Sequence, residues 1–380
     1  MKFRVERDVL ADAVAWAARS LPVRPSVPVL SGLLIEAGQF ESGEGLQLSS
    51  FDYETSARAT LRAEVNAEGK ALVSGRLLAD ICRSLPNKPV DMTLEGSRVS
   101  LVCGSARFSL QTMPVEDHPQ LPAMPAATGT VNSDEFAHAV AQAVTAAGRD
   151  DMLPVLTGVR LEIDGSSISL LATDRFRLSH RELAWQPTTP DASVAALVPA
   201  KVLGDTAKSL TGGTELTIAL SSGGAGEGII GFEGVTSGGT LRTTTRLLDG
   251  EFPKVRSLFP TAHTTVVTLD KGALIESVKR VSLVAERNTA VQMAFADGVL
   301  TLDAGSGDEA QASESVEARI EGESITTGFN PQFLLDGLSA IDASVVELAF
   351  TQASKPVVIS GAGDDEVSFR YLLMPRRLLQ

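Results

Sequence analysis

The chain has 380 residues, 43% hydrophobic and 21% charged, and its 33 Lys and Arg against 47 Asp and Glu leave a formal net charge of −14. That length predicts two or three domains, since a single core stops growing well before it. Its apolar runs fall far short of the ~20 residues of a membrane helix, Asp8 precedes and Asp12 interrupts VLADAVAWAA as no signal peptide is interrupted, and the acidic balance speaks against a nucleic-acid partner held by net charge, so a cytoplasmic protein is expected.

In chain order, the first element reads as a helix, with Val9, Leu10, Ala13, Val14 and Ala17 at helical spacing. LQLSSFDYETSARATL (46–61) and ALVSG (71–75) read as strands. A second helix follows, with Leu77, Leu78, Ile81 and Leu85 expected on one face. VDMTLEG, VSLVCG and RFSLQTM then supply further strands, broken at Gly, Asn and Asp. Cys82 and Cys103 belong to no CxxC pair and are expected to be buried thiols.

The pattern then repeats. LADAVAWAARSL (10–21) returns as FAHAVAQAVTAA (136–147), VLSGLLIEA (29–37) as VLTGVRLEI (155–163), and VSGRLLADICRSL (73–85) as VPAKVLGDTAKSL (198–210). A third, weaker copy runs through LIESVKRVSLVA (274–285) and FNPQFLLDGLSAI (329–341), so that Asp80, Asp205 and Asp336 are equivalent. Its close, FRYLLMP (369–375), matches FSLQTMP (108–114), which makes the greasy end RYLLMPRRLLQ a strand rather than a loose tail. The Pro- and Gly-rich stretches HPQLPAMPAATG (118–129) and DGEFPKVRSLFP (249–260) mark the seams. Each copy is domain-sized, unlike a solenoid unit. The fold class expected is α+β: three similar domains, each with two helices packed on antiparallel sheets, because the connections between strands are short.

No catalytic chemistry stands out. His118, His138, His180 and His263 are scattered, without HExxH or a Cys/His cluster, so no metal is expected. No phosphate loop, GxGxxG or GxSxG occurs, and the glycines of SSGGAGEGIIG (221–231) read as a hairpin loop. Asp150–Asp151 and Asp364–Asp365–Glu366 read as solvated loop carboxylates. Positive charge is more regular. Arg76, Asp80 and Arg83 recur as Lys201, Asp205 and Lys208 on the second helix of the second copy, opposite the apolar face. The bland reading is a solvated face with i, i+4 pairs. The sharper one turns these faces, with Arg19, Arg24, Arg149, Lys279, Arg280 and Arg287, toward one polyanion. In the third copy Gln332 and Ser339 replace the second-helix bases, and no aromatics interleave for base stacking.

The order and spacing of RPSVPVLSGLLIEA (24–37), VSGRLLADICRSLP (73–86), LPVLTGVRLEI (153–163), ATDRFRLS (172–179), LLDGEFPKVRSLFP (247–260), GFNPQFLLDGLSAI (328–341) and YLLMPRRL (371–378) resemble the bacterial DNA polymerase III beta subunit family, the sliding clamps, over the whole chain. The resemblance implies the DNA clamp fold, with domains at 1–120, 128–253 and 260–380, a ring-forming homodimer, no enzymatic activity and no cofactor. The implied partners are duplex DNA held without sequence preference, the replicative polymerase alpha subunit, a clamp loader and other proteins carrying a clamp-binding peptide. An acidic exterior with a basic lining reconciles DNA with the net charge.

By matched position the peptide cleft comprises Leu156, Thr173, Arg175, Phe176, Arg177, Leu178, Pro253, Leu258, Pro356, Leu372, Met374, Pro375 and Arg376. The DNA-facing cations are Arg24, Arg76, Arg83, Arg149, Lys201, Lys208 and Arg280, and the dimer seam pairs Phe108 with Leu283. Arg175–Phe176 stands where common family members carry Gly-His, and Arg376 where many carry an apolar residue. Ser282 likewise stands at a seam position that is apolar in a relative. On strand alternation, Leu372 and Met374 are expected to share a partly accessible face. The competing readings are a peptide-binding scaffold that does not encircle DNA, an enzyme with an unrecognised site, and a second clamp copy with altered partner or drug sensitivity.

Overall fold

A computed structural model of the chain describes residues 1–221, 228–285, 289–305, 310–363 and 368–376. Six helices occur among them: α1 (Arg7–Ala17), α2 (Gly75–Ser84), α3 (Ser133–Ala143), α4 (Ala200–Ser209), α5 (Lys271–Val281) and α6 (Pro331–Ser339). They come as the three expected pairs, and Asp80, Asp205 and Asp336 fall in the second helix of each pair. Every strand pairing described is antiparallel, as the short connections require. The chain packs as two compact units, Met1–Ala137 with Trp185–Ala192 and Asp205–Leu247, and His138–Ala184 with Ser193–Gly204 and Leu248–Gln380. The second repeat contributes to each.

In the first unit a fourteen-stranded sheet carries α1 and α2. Leu10, Ala13, Val14 and Ala17 of α1 are buried as their spacing predicts, and Trp16 joins them, its indole N–H donating to the Arg58 carbonyl at 3.2 Å. On α2 the buried set is Leu78, Ile81 and Cys82, while Leu77 is 51% exposed. The expected face was therefore one residue too wide: a step of about 100° carries Leu77 out of the Leu78–Ile81–Cys82–Leu85 stripe. Gly75 opens α2 close to the core, where a Cβ would lie 2.4 Å from the tip of the Leu21 side chain and would require it to shift; Ala200 holds the equivalent place in the second copy. Cys82 and Cys103 are buried free thiols, and burial pushes the Cys82 thiol up to about 12.

One joint in this sheet crosses repeats. Thr55–Arg62 of the first copy pairs with Gly239–Arg246 of the second, and the Ser56 and Thr244 hydroxyls meet at 2.6 Å. Glu215–Leu220 and Ile229–Thr236 form the hairpin expected around the glycine run, whose residues 222–227 lie outside the described ones. Asp364–Asp365–Glu366, Arg287 and Arg377 also lie outside them. Asp150 and Asp151 are exposed as expected, Asp150 accepting the Met152 N–H.

The second unit holds a nine-stranded sheet and a four-stranded one. Phe369–Leu373 runs between Arg177–Ala184 and Val357–Gly361, so the greasy end begins as a central strand with both sides paired as far as Leu373, while its residues 377–380 lie outside the described ones. Asp270 caps α5 by accepting the Ala273 N–H, and Asn330 caps α6 by accepting those of Gln332 and Phe333. Gly337 lies over the Tyr371 ring, where a Cβ would come within 2.3 Å.

Candidate partner-binding cleft and charged faces

Strand register builds the floor of the cleft. Thr173, Leu178, Leu372 and Val358 face one another across four neighbouring strands. Onto this row the segment 249–260 lays Phe252 and Val255, which close an apolar cluster with Leu171, Leu178, Leu197, Val358 and Leu372. Leu372 is consequently only 2% exposed. The expectation that Leu372 and Met374 share an accessible face fails for Leu372, because a central strand capped by a packed segment is covered on that face. Leu156, Thr173, Arg177 and Leu178 are buried too. The accessible apolar groups form a rim: Phe176 and Leu258, each about half exposed, Met374 at 38%, and the exposed Pro253. Arg175 is exposed, and Pro356, Pro375 and Arg376 are half-buried. Met374 is placed by its N–H, which donates to the Phe176 carbonyl at 2.9 Å, and Arg376 by its N–H to the Gly328 carbonyl.

The turn that presents Phe176 is over-determined. Asp174 accepts the backbone N–H groups of Phe176 and Arg177, and the Thr173 hydroxyl donates to the Arg177 carbonyl at 2.6 Å. Arg175 takes up the turn with φ of 80°, an uncommon backbone for a side chain of its size. Beneath, the Arg177 guanidinium donates to Asp174 at 2.9 Å and Asp336 at 2.7 Å and lies 4.3 Å over the Phe333 ring. Burial opposes that charge, but Tyr371, Asp336 and Asp174 outweigh it and raise the Arg177 pKa. Phe333 in turn stacks on Phe176, ring centroids 6.3 Å apart. A cavity of about 560 Å³ opens here, lined by Arg149, Leu156, Arg175, Phe176, Phe333 and Asp336 among others. Arg149 and Leu156 therefore belong to a recess beside the rim. Sequence reasoning missed Phe333 and Tyr371. Asp336 carried a signal, its recurrence in all three repeats.

Of the predicted cations, Arg24, Arg76, Arg83 and Lys208 are exposed in the first unit, with Arg76 donating to the Pro22 carbonyl and Arg83 3.3 Å from Asp80. In the second, Arg149, Lys201 and Arg280 are exposed, and Arg280 donates through Nε to Glu314 at 3.0 Å. Of the seam residues, one lies in each unit. Phe108 is half-buried on Ala106–Met113, and Leu283 is 83% exposed just after α5. Among the described residues, no strand pairs with the outer side of residues 106–111 or of Ala312–Glu317. No group of His, Cys, Asp and Glu suited to a metal occurs among them, and no helix is long and apolar enough to cross a membrane.

Repeated helix pairs on antiparallel sheets, with a greasy rim over a sealed floor, define the DNA clamp class of fold. Family models for the N-terminal, central and C-terminal domains of the DNA polymerase III beta subunit match residues 1–122, 130–254 and 256–377, and the chain belongs to that family. It is 58% identical to a beta sliding clamp of Streptomyces coelicolor over the full length of both chains. With one from Micrococcus luteus it shares 54% identity, over 84% of this chain and all of that one. A crystal structure of a Pseudomonas aeruginosa sliding clamp bound to griselimycin superposes with a TM-score of 0.90 at 26% identity, over the whole of both chains.

Proposed function

We propose that two copies of this sliding clamp close head to tail into a ring around duplex DNA, divided at 1–120, 128–253 and 260–380, and that the ring tethers polymerase and repair proteins by a peptide held in the cleft. The carrying observation is the rim. Phe176, Leu258 and Met374 stand exposed over a floor that is already packed, so a peptide adds apolar side chains without opening the core. Each well-placed aliphatic group contributes about 1–3 kcal/mol. Ordering costs leave a short peptide with micromolar affinity. A Pseudomonas aeruginosa relative binds griselimycin, which in this reading is a ligand for the cleft of this chain.

The exposed Leu283, the half-buried Phe108 and the two unpaired strand sides support the dimer. The strand sides carry complementary charge, Arg107 on one and Glu317 on the other. Ring closure turns Arg24, Arg76, Arg83, Arg149, Lys201, Lys208 and Arg280 to the phosphates, contacts that hold without reading bases. The protein itself catalyses nothing; it raises processivity by topology. The test is retention on loaded circular DNA against linear DNA at matched salt. Retention on the circle and rapid loss from linear ends is expected, and equal loss from both rejects encirclement in favour of a scaffold that only binds peptides.

A further inference from the structure

The segment 249–260 supplies the cleft wall at Pro253 and Leu258; its buried anchors Phe252 and Val255 precede Leu258, and the partly buried Phe259, packed on the same cluster, follows it. Between these anchors the fixing contacts are polar. Arg256 donates to Glu162 through Nε at 3.0 Å and a terminal nitrogen at 2.7 Å, and lies 3.6 Å from Glu182. Glu162 is itself pinned by Arg160 at 2.6 Å. Burial works against the charge on Glu162, but hydrogen bonds from Arg160 and Arg256 overcome it and hold the carboxyl below the usual carboxylate range. One residue beyond Leu258, the Phe259 ring has the Arg370 guanidinium over it at 4.6 Å and His180 beside it at 5.9 Å. Leu258 is thus held between the Arg256 ion pairs and the Phe259 ring, which packs on the apolar cluster beneath Arg370, over one sheet face where Arg160, Leu171, His180 and Arg370 run in register across four strands.

We infer that Arg256 and Glu162 are positioning residues of the cleft: they touch no bound peptide but hold Leu258 at the wall. The inference rests on the cleft reading above. It makes an unusual demand, that removing a positive charge and removing a negative charge change affinity in the same direction. An effect of ligand electrostatics moves the two in opposite directions.

The experiment titrates griselimycin into wild type, Arg256→Ala, Glu162→Gln and Leu258→Ala by calorimetry, with thermal unfolding of each recorded alongside. Arg256→Ala and Glu162→Gln are expected each to weaken binding about fivefold, the upper range for one partly exposed ion pair. The dimer should persist. Opposite shifts in the two charge variants, or none while Leu258→Ala loses affinity, overturn the inference and leave the cleft standing. Failure of wild type to bind both griselimycin and a clamp-binding peptide overturns the cleft reading and the inference with it; where griselimycin alone fails, as a drug-altered copy would show, the same variants are read with the peptide.

Discussion

At the scale of single residues, the cleft divides into groups that hold shape and groups that meet a partner. Leu178 and Leu372 are register partners, sealed in the floor. Met374, one strand repeat beyond Leu372, has left the sheet and is 38% exposed. Met374→Ala is therefore expected to weaken peptide or griselimycin binding about tenfold, or ~1.4 kcal/mol, without loss of the dimer. Calorimetric titration beside sedimentation checks it. Leu372→Ala is the contrasting case: it empties part of a packed cluster and costs stability, about 2–5 kcal/mol for such a truncation. Alternation along the strand revealed which residues share a face. It did not reveal that 249–260 covers half of that face, because the covering segment lies more than a hundred residues away in sequence.

Among the elements, helices were more legible than sheets. Spacing alone placed α1 and α2, but Val9 is only half-buried, Leu77 is exposed, and Trp16 and Cys82 join the buried faces. Helical hydrogen bonds are local, so a period carries the information. The joints between Thr55–Arg62 and Gly239–Arg246, and between Arg177–Ala184 and Phe369–Leu373, join different repeats, and no local pattern encodes such a pairing. His180 sits on the latter joint beneath 249–260, faced by Glu182, Arg256, Arg370 and Glu162. Burial lowers its pKa from 6.5 to about 4. The unfolded chain then binds more protons than the native one between those values, so stability falls as the pH drops through that window. From pH 7 to pH 5 this group removes about 2 kcal/mol. Unfolding temperatures of wild type should fall more steeply over that range than those of His180→Gln. Parallel slopes reject the assignment.

For the whole molecule, the decisive property is association. Leu283 at 83% exposure is poorly placed for a lone copy and well placed for an apolar seam. Ser282 beside it turns its hydroxyl back to the Lys279 carbonyl, so it does not extend the greasy patch. Leu283→Asp is expected to shift the protein to monomers at micromolar concentration in sedimentation, with unfolding of each copy little changed. Persistence of the dimer moves the seam elsewhere. The net charge of −14 alone argued against DNA, and the individual exposed cations argued for it. A sum over the surface discards position, which is why charge was the least legible property in the sequence.

The pairing of Arg177–Ala184 with Phe369–Leu373 also bears on how the chain is made. Arg370 and His180, neighbours across that joint, are 190 residues apart, as are Thr55 and Thr245 across the other. Pairings this distant fold slowly and wait on synthesis. A ribosome-bound chain that has already emitted Leu178 still presents an unpaired strand edge until Leu372 emerges. In the proposed reading, a partly made chain holds no partner peptide, because the cleft floor is incomplete until Leu372 has been translated.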